Sequence, residues 1–276
     1  MTLWTTAIGA WGDVFASCGN IIRLLEEEDK DSCSVVYFGL DEDIKEFLEY
    51  QSFIDEVYHL KLGGPHLYDA LMYQCQWDYP RWLALTKLED LSPVRTHVTP
   101  ELLESSDCFR DFNLKLPLRT DKRLPESFIL FQPYSIQSNT KGTHWPYWME
   151  ALEWILNNTD HDVVMVGKDG VPGSPDPNFV TPRFDSDRVV NLVNETSSMM
   201  DVLNMASLAK GIVSTSNALP IWCIINKIPV LVVYNLIIKE KANYFYNWYK
   251  SEPAITLESD SDLNDFTRRF KMMLSK

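Results

Sequence analysis

The sequence has few of the features that mark metal-binding, disulfide-rich or membrane-spanning chains. It holds five cysteines, an odd number, and none of them lies in a CxxC or Cys/His cluster. This scarcity excludes a disulfide framework and a cysteine-based zinc site, and it favours a reducing, cytoplasmic location. The first residues lack the basic segment of a signal peptide, and no apolar run reaches the roughly 18 residues of a membrane helix. We therefore expect no transmembrane segment.

Positive charge is also scarce. The 25 lysines and arginines are outnumbered by 39 aspartates and glutamates, which gives a formal net charge of -14. A surface this acidic repels phosphate backbones, so general nucleic-acid binding is not expected. A local basic pocket for a diphosphate remains compatible with this charge.

Short apolar strands alternate with amphipathic helices along most of the chain, and the 45% apolar content is enough for two buried cores. Strands are predicted over residues 3–8, 34–40, 57–60, 127–132, 162–166, 188–192, 211–214 and 228–233. Helices are predicted over residues 14–28, 41–51, 146–157, 198–208, 218–226 and 262–274. This alternation predicts an α/β fold with parallel sheets covered by helices.

Residues 113–125 carry prolines and clustered charge, a composition typical of a linker. The chain is therefore predicted to hold an N-terminal Rossmann-like domain over residues 1–118 and a C-terminal one over residues 119–258. Residues 259–276 form a terminal helix that is a candidate for crossing back to the first domain.

Several motifs follow one another in a particular order. They are Gly9-Ala-Trp-Gly-Asp13 after the first strand, Lys141-Gly-Thr-His-Trp-Pro146 before a helix, VVMVGKD at a strand end, and Ile212-Val-Ser-Thr-Ser-Asn-Ala218 before another helix. In this order the chain resembles the heptosyltransferase-like glycosyltransferases (glycosyltransferase family 9), a GT-B group. The resemblance implies two Rossmann-like domains that face a cleft, the first binding the acceptor and the second the nucleotide-sugar. It also implies inverting transfer without a metal.

Asp13 is the candidate general base. It follows a strand at the start of a helix, where a carboxylate is favoured by the helix N-terminus and faces the ligand edge of a parallel sheet. The resemblance implies the same role. Gly9, Trp11 and Gly12 are candidates for acceptor binding or close backbone approach. The alternative is that Asp13 only caps a helix that begins at Val14.

Lys141 is the candidate for neutralising the donor diphosphate. It lies in a polar loop between a strand end and a helix, where anions bind in such sheets. Ser135, Ser138 and Thr140 in the same loop are candidate hydroxyl donors. The alternative is that Lys141 is an ordinary solvated lysine.

A second polar turn is predicted at the same edge of the sheet. Ser214, Thr215, Ser216 and Asn217 are candidates for cradling the diphosphate with hydroxyls and backbone N–H groups, or alternatively for capping the next helix. The family pattern has an aspartate at Ser216 and a histidine at Ile221, so this chain departs from it at both positions. The departure puts a heptose donor in doubt and is compatible with reduced activity.

The resemblance places the nucleobase and ribose of the donor near Val193, Glu195 and Thr196. Glu195 is a candidate acceptor of hydrogen bonds from ribose hydroxyls. The alternative is that Thr196 caps the next helix together with Ser197, and that Glu195 is solvated.

No metal or other cofactor is predicted, and the partners are a nucleotide-sugar donor and a glycan or other hydroxyl acceptor. Three alternatives stay open at this point. The first is a virus-encoded enzyme that glycosylates hydroxymethylated DNA bases, which the acidic first half disfavours. The second is a sugar-nucleotide epimerase, for which the second half lacks suitable acidic groups. The third is a degenerate module that binds a nucleotide or sugar without turnover.

Overall fold

The computed structural model describes residues 3–8, 10–39, 41–61, 113–119, 121–134, 145–170, 180–234, 249 and 252–276. The chain divides into two compact units, Met1–Pro117 and Leu118–Lys276. Each unit is built on a parallel sheet with helices, so the predicted α/β class is confirmed. The boundary between the units falls within residues 113–125. That the two domains face a cleft stays a prediction.

The first unit contains a three-stranded parallel sheet in the order β1-β2-β3. Its strands are Trp4–Ile8 (β1), Cys33–Gly39 (β2) and Ile54–Lys61 (β3), and its helices are Trp11–Glu27 (α1) and Glu42–Glu49 (α2). The central strand β2 is buried from Cys33 to Tyr37. The buried face of α1 repeats at helical spacing through Val14, Cys18, Ile21 and Leu25.

Helix α1 begins three residues before the predicted start at Val14, so that prediction was wrong. Ala10 is the N-cap, and Asp13 is the third residue of the helix. The Asp13 carboxylate accepts a hydrogen bond from the Ala10 N–H at 3.2 Å. This contact satisfies one of the amides that a helix start leaves unpaired, and it stabilises a first turn containing Gly12 that the sequence pattern had indicated as a loop.

The second unit contains a six-stranded sheet in the order β6-β5-β4-β7-β8-β9, and every neighbouring pair is parallel. Its strands are Phe128–Gln132 (β4), Asp162–Met165 (β5), Val189–Asn191 (β6), Gly211–Thr215 (β7), Val230–Tyr234 (β8) and Ala254–Glu258 (β9). Its helices are Trp148–Asn158 (α3), Met199–Leu208 (α4), Ala218–Ile225 (α5) and Leu263–Leu274 (α6). This strand order is that of a doubly wound sheet, which places a topological switch point between β4 and β7.

Strand β9 was missed by the sequence analysis, which ended the sheet at β8. Ile255 and Leu257 are buried while the residues between and beside them are partly exposed. An alternation over five residues at a sheet edge is a weak signal, and it is stabilised here by the helix that follows. The buried residues of α6, Phe266, Phe270 and Met273, pack in the core of the second unit against α3, β8 and β9.

Aromatic residues fill much of the core between α3 and α6. The Trp145 ring meets that of Trp148 at a centroid distance of 5.2 Å and that of Phe266 at 5.4 Å. The Trp145 indole N–H donates to the Ser261 carbonyl at 2.8 Å, which satisfies its polar atom. None of the described helices is long and apolar enough to cross a membrane.

Candidate functional site

Polar side chains from β4 and β7 meet at the switch point, where open α/β sheets bind their ligands. The Ser214 hydroxyl donates to Gln132 Oε1 at 3.0 Å, and Asn217 Nδ2 donates to the same oxygen at 2.9 Å. Asn217 Nδ2 also lies 3.1 Å from the Thr215 carbonyl. The structure thus brings two residues of the predicted nucleotide-sugar site, Ser214 and Asn217, together around Gln132, which was not predicted from the sequence. The sequence does contain one sign of its role, because Gln132 is a polar residue at the end of an otherwise apolar strand.

The hydroxyl groups at this turn are closed to solvent. Ser214, Thr215 and Ser216 have no exposed surface. The Ser216 hydroxyl lies 2.9 Å from that of Tyr249, and the Ser216 N–H donates to the Val233 carbonyl at 3.0 Å. Burial raises the pKa of Tyr249, although the hydrogen bond with Ser216 acts in the opposite direction, so the phenol is neutral. These groups therefore form a buried floor beneath the turn.

The first turn of α5 offers few donors to an anion. Asn217 is the N-cap, and its Oδ1 accepts from the Leu219 N–H at 2.7 Å, which confirms the capping alternative for this residue. Pro220, third in the helix, has no N–H. Among the described residues, no acceptor is paired with the Ala218 N–H, which is the remaining first-turn donor. Ile221, where the family pattern has a histidine, is 1% exposed and packs in the core.

The predicted phosphate loop lies outside the described residues. This loop contains Lys141, Ser135, Ser138 and Thr140, and their roles stay predictions. Gly9, a candidate acceptor-side residue of the first unit, also lies outside the described residues. The described residue Tyr134 precedes this loop and is buried at the end of β4.

A cavity of about 410 Å³ lies at the carboxyl end of β6, beside the first turns of α4. Its lining residues are Arg119, Asp121, Lys122, Glu195, Thr196, Asp201 and Met205. This volume is in the range of small-molecule sites, roughly 300–1,000 Å³. The cavity brings the predicted donor residues Glu195 and Thr196 together with residues that the sequence analysis did not identify. Val193, the third residue of that prediction, buries its side chain in the core.

Ion pairs organise the polar wall of this cavity. Arg119 Nη1 lies 3.2 Å from the Ser198 hydroxyl and 3.4 Å from Asp201 Oδ1. Arg123 pairs with Asp121 at 2.7 Å and also contacts Glu195. Glu195 is thus half-exposed and paired with Arg123, so both the ligand-binding role and the solvated alternative stay open.

The start of α4 positions Asp201 against the cavity. Ser198 is the N-cap, and Asp201 completes a capping box with it. Burial by itself raises the pKa of Asp201, but hydrogen bonds from Ser197, Ser198 and Arg119 outweigh it and lower the pKa. The carboxylate therefore stays ionised at neutral pH. The predicted cap at Thr196 and Ser197 was wrong by one residue: Ser198 takes that position, and Ser197 contacts Asp201 instead.

Asp169 ties together the loops that follow β5 and β6. Its carboxylate accepts from the Thr181 N–H at 2.8 Å, from Asn194 Nδ2 at 2.8 Å and from Arg183 Nη2 at 3.0 Å. Burial by itself raises the pKa of Asp169, but these hydrogen bonds and the Arg183 charge lower it to about 2. The preceding Gly167 has a φ of 152°, a conformation that favours glycine. This network fixes the backbone beside the cavity at the carboxyl edge of the sheet.

In the first unit the structure separates the roles of Asp13 and Trp11. The Asp13 side chain is partly exposed in the first turn of α1. Trp11 is only 7% exposed, its indole N–H donates to Asp41 at 2.9 Å, and its ring packs against Phe47 at 5.5 Å. The Trp11 ring is therefore held in the core, and acceptor binding or close backbone approach at this residue stays a prediction. Gly12 lies beside Asp13, partly exposed, within the same turn.

Within the described ranges, no group of three or more His, Cys, Asp or Glu residues is arranged to hold a metal ion. Metal-independent chemistry stays a prediction.

The strand order is that of a doubly wound α/β sheet, a class of fold in which ligands bind at the carboxyl edge of the strands. No protein-family model and no curated protein sequence matches the chain. Among solved structures, a family 9 glycosyl transferase from Veillonella parvula is similar at 12% identity, with a TM-score of 0.64 over 99% of this chain and 97% of that one. The E. coli heptosyltransferase WaaC with ADP is similar at 11% identity, with a TM-score of 0.63 over 99% and 100%. E. coli ADP-heptose lps heptosyltransferase II has 13% identity and a TM-score of 0.60 over 100% and 99%.

These similarities extend over the full length of each chain and show that this protein has the fold of the heptosyltransferase-like glycosyltransferases. The resemblance stated from the order of the sequence motifs is thereby confirmed at the level of the fold, while the cleft between the two domains stays a prediction. Because the identities are low, the likeness concerns the fold, and the chemistry has to be argued from this chain's own residues.

Proposed function

We propose that this protein is a glycosyltransferase that moves a sugar from a nucleotide-sugar donor to an acceptor hydroxyl. The observation that carries the proposal is the cavity at the carboxyl end of β6, which contains Glu195 and Thr196 and lies on the same sheet edge as the switch point. Ligands of doubly wound sheets bind along this edge. The fold shared with heptosyltransferase structures supports the same assignment.

The donor nucleoside occupies the cavity in this proposal. Met205 offers an apolar wall for the base, while Thr196 and Glu195 can hydrogen-bond ribose hydroxyls. The diphosphate extends toward the switch point, where the Ala218 N–H and the loop containing Lys141 follow β7 and β4. Two of the similar structures are named for ADP or ADP-heptose, so adenine nucleotide-sugars are the first donors to test.

Asp13 acts as general base in the proposed reaction. Its carboxylate accepts the proton of the acceptor hydroxyl while the acceptor oxygen forms a bond to the anomeric carbon. The bond between that carbon and the phosphate oxygen breaks, and the nucleoside diphosphate leaves with the electron pair. A single displacement of this kind inverts the anomeric configuration and requires no metal in its balance.

Asp13→Asn is the substitution that tests this role. It keeps the size of the side chain and an oxygen for the Ala10 N–H, but it removes the base, so we expect kcat to fall by about 10²–10⁴-fold. The matched control is Asp265→Asn, because Asp265 also lies in the first turn of a helix, α6. Both lose the same favourable helix-terminus interaction, roughly 0.3–1 kcal/mol, but only the first should lose activity.

Activity is measured on a panel of sugar-nucleotide donors as release of the nucleotide leaving group in the presence of candidate acceptor glycans. This group is a nucleoside diphosphate for ADP-, GDP-, UDP- and dTDP-sugars and CMP for CMP-sugars. The proposal is contradicted if no sugar nucleotide binds or turns over. If the Asp13→Asn and Asp265→Asn variants are equally active, only the role of Asp13 as general base is contradicted, and the glycosyltransferase proposal is unaffected.

The residues at Ser216 and Ile221 favour a second candidate function, nucleotide binding without turnover. Both are buried and neither is ionisable, in contrast to the aspartate and histidine of the family pattern. If this second function is correct, a nucleotide raises the melting temperature of the protein, while the same sample releases no nucleotide from any sugar-nucleotide donor. The donor panel therefore separates the two functions.

A further inference from the structure

One wall of the cavity comes from an irregular segment at the start of the second unit. Residues 118–124 precede β4, and the described part of this segment contains no helix or strand. It contributes Arg119, Asp121 and Lys122 to the lining, opposite residues that follow β6 or belong to α4.

Arg119 fastens this segment to α4. Its backbone N–H donates to Asn204 Oδ1 at 3.2 Å, and its guanidinium lies 3.2 Å from the Ser198 hydroxyl and 3.4 Å from Asp201. Asn204 is buried and in turn donates to the Met200 carbonyl at 3.0 Å, so its orientation is fixed. One end of the segment is therefore held by three contacts to a single helix.

A second attachment lies four residues further along. Arg123 pairs with Asp121 at 2.7 Å and also contacts Glu195, two residues that line the cavity. The three carboxylates of the lining are thus each paired with Arg119 or Arg123. Lys122 lies between the two attachments, is exposed, and forms no ion pair with any described residue. Its ammonium group is available to a ligand in the cavity.

We propose that this segment is a wall of the donor nucleoside subsite, in which Lys122 donates a hydrogen bond to the bound nucleoside, and that occupancy fixes the segment against α4. The inference rests on the proposed function and adds ligand-binding residues to it. A base or ribose offers oxygen and ring-nitrogen acceptors that an ammonium can reach. The Lys122 ammonium also offsets the one negative charge that the three carboxylates keep after pairing with Arg119 and Arg123. Because a ligand stabilises the state that binds it, local opening of the segment becomes rarer as the cavity fills.

Limited digestion with trypsin tests the ordering of the segment. The bonds after Lys122 and Arg123 are trypsin sites, and we expect ADP, GDP or UDP, whichever binds, to slow their cleavage at least about tenfold at saturation. The control site is Lys227, an exposed residue in the turn after α5, whose cleavage rate should not change with ligand. Cleavage products are identified and timed by mass spectrometry.

The Lys122→Ala variant tests the direct contact. We expect the Kd of the best nucleotide to rise about tenfold in calorimetry, because a hydrogen bond from a charged donor is lost. The melting temperature without ligand should stay the same, since Lys122 has no ion pair to lose. Lys210→Ala is the matched control, because Lys210 is an exposed lysine at the opposite end of α4, and its Kd should equal that of the parent.

The possible failures are distinguishable. If a nucleotide binds but neither the trypsin sites nor the Lys122→Ala affinity responds, the segment is not a wall of the subsite, and the proposed function is unaffected. If no nucleotide binds at millimolar concentration, the proposed function fails and the inference fails with it.

Discussion

The buried contact between Ser216 and Tyr249 makes the effect of an acidic residue at position 216 predictable. Ser216 has no exposed surface, and its hydroxyl already lies 2.9 Å from that of Tyr249. Ser216→Asp would restore the residue type of the family pattern but place a carboxyl group in this closed site. Ser216→Asn is the matched control, because it adds nearly the same volume without a charge. Each should lose about 1–3 kcal/mol to overpacking.

The difference between the two variants isolates the cost of the charge. A carboxyl group with an unfolded-state pKa of about 3.9 must be protonated to stay neutral at pH 7.5. Protonation costs about 1.4 kcal/mol for each pH unit above that pKa, so the charge lowers the unfolding free energy by at most about 5 kcal/mol. A hydrogen bond from the Tyr249 hydroxyl to the carboxylate recovers about 1.5–3 kcal/mol of that cost. We therefore expect Ser216→Asp to be about 2–4 kcal/mol less stable than Ser216→Asn at pH 7.5.

This difference should depend on pH in one direction. Burial raises the folded-state pKa of the new carboxyl group above its unfolded value. Ser216→Asp is therefore as stable as Ser216→Asn below about pH 4 and becomes less stable than it as the pH rises. The unfolding free energies of the two variants should be equal near about pH 4. Their difference should then grow by about 1.4 kcal/mol per pH unit and become constant above roughly pH 5.5–7.

Urea unfolding followed by tryptophan fluorescence at pH 4 to 8 measures this difference directly. In thermal unfolding the same gap corresponds to roughly 4–16 °C in Tm. Equal stability at pH 7.5 would show that a carboxylate at position 216 is solvated. The description of this turn as a closed floor would then be wrong, and a direct phosphate contact from residue 216 would regain support.

Two further predictions concern the loops beside the cavity. Gly167→Ala should lower the unfolding free energy by about 1–3 kcal/mol, because Gly167 has a φ of 152°. Gly211→Ala should cost less, because its new methyl group meets mainly the end of the flexible Met273 side chain, with Leu274 at ordinary contact distance. Urea midpoints compare the two variants, and the reverse order would refute the strain argument. The Asp169 pKa of about 2 lies below its unfolded value, so the stability it contributes is present above about pH 4 and lost as the pH falls toward 2. The difference in unfolding free energy between the parent and Asp169→Asn should therefore decrease from pH 5 to pH 2. A difference that stays constant over this range would contradict the lowered pKa of Asp169.

Local sequence patterns were enough to identify most strands and helices. The apolar runs that form β4, β7 and β8 are fully buried strands, and periodic apolar residues predicted α3 and α4 to within two residues at each end. The patterns failed where a tertiary contact decided the outcome. Strand β9 depends on packing by α6, and the start of α1 depends on the Asp13 contact with Ala10.

The candidate site was only partly predictable for the same reason. Polar residues at strand ends pointed correctly to the turn after β7, because parallel strands place such residues at one edge of a sheet. Their burial, and the contact of Ser216 with Tyr249, depend on a residue 33 positions away in the sequence. Arg119 and Lys122 were taken as part of a linker, since nothing local indicates that they face Glu195 and Asp201.

The sequence by itself determined the α/β class, the division near residues 113–125 and the sheet edge that carries the polar turns, because each of these follows from periodicity and composition. The tertiary structure alone decided which of those polar groups are closed off and which line a cavity. Burial and ion pairing depend on contacts between segments that are distant in the chain, such as Arg119 with α4, and local patterns carry no information about such contacts.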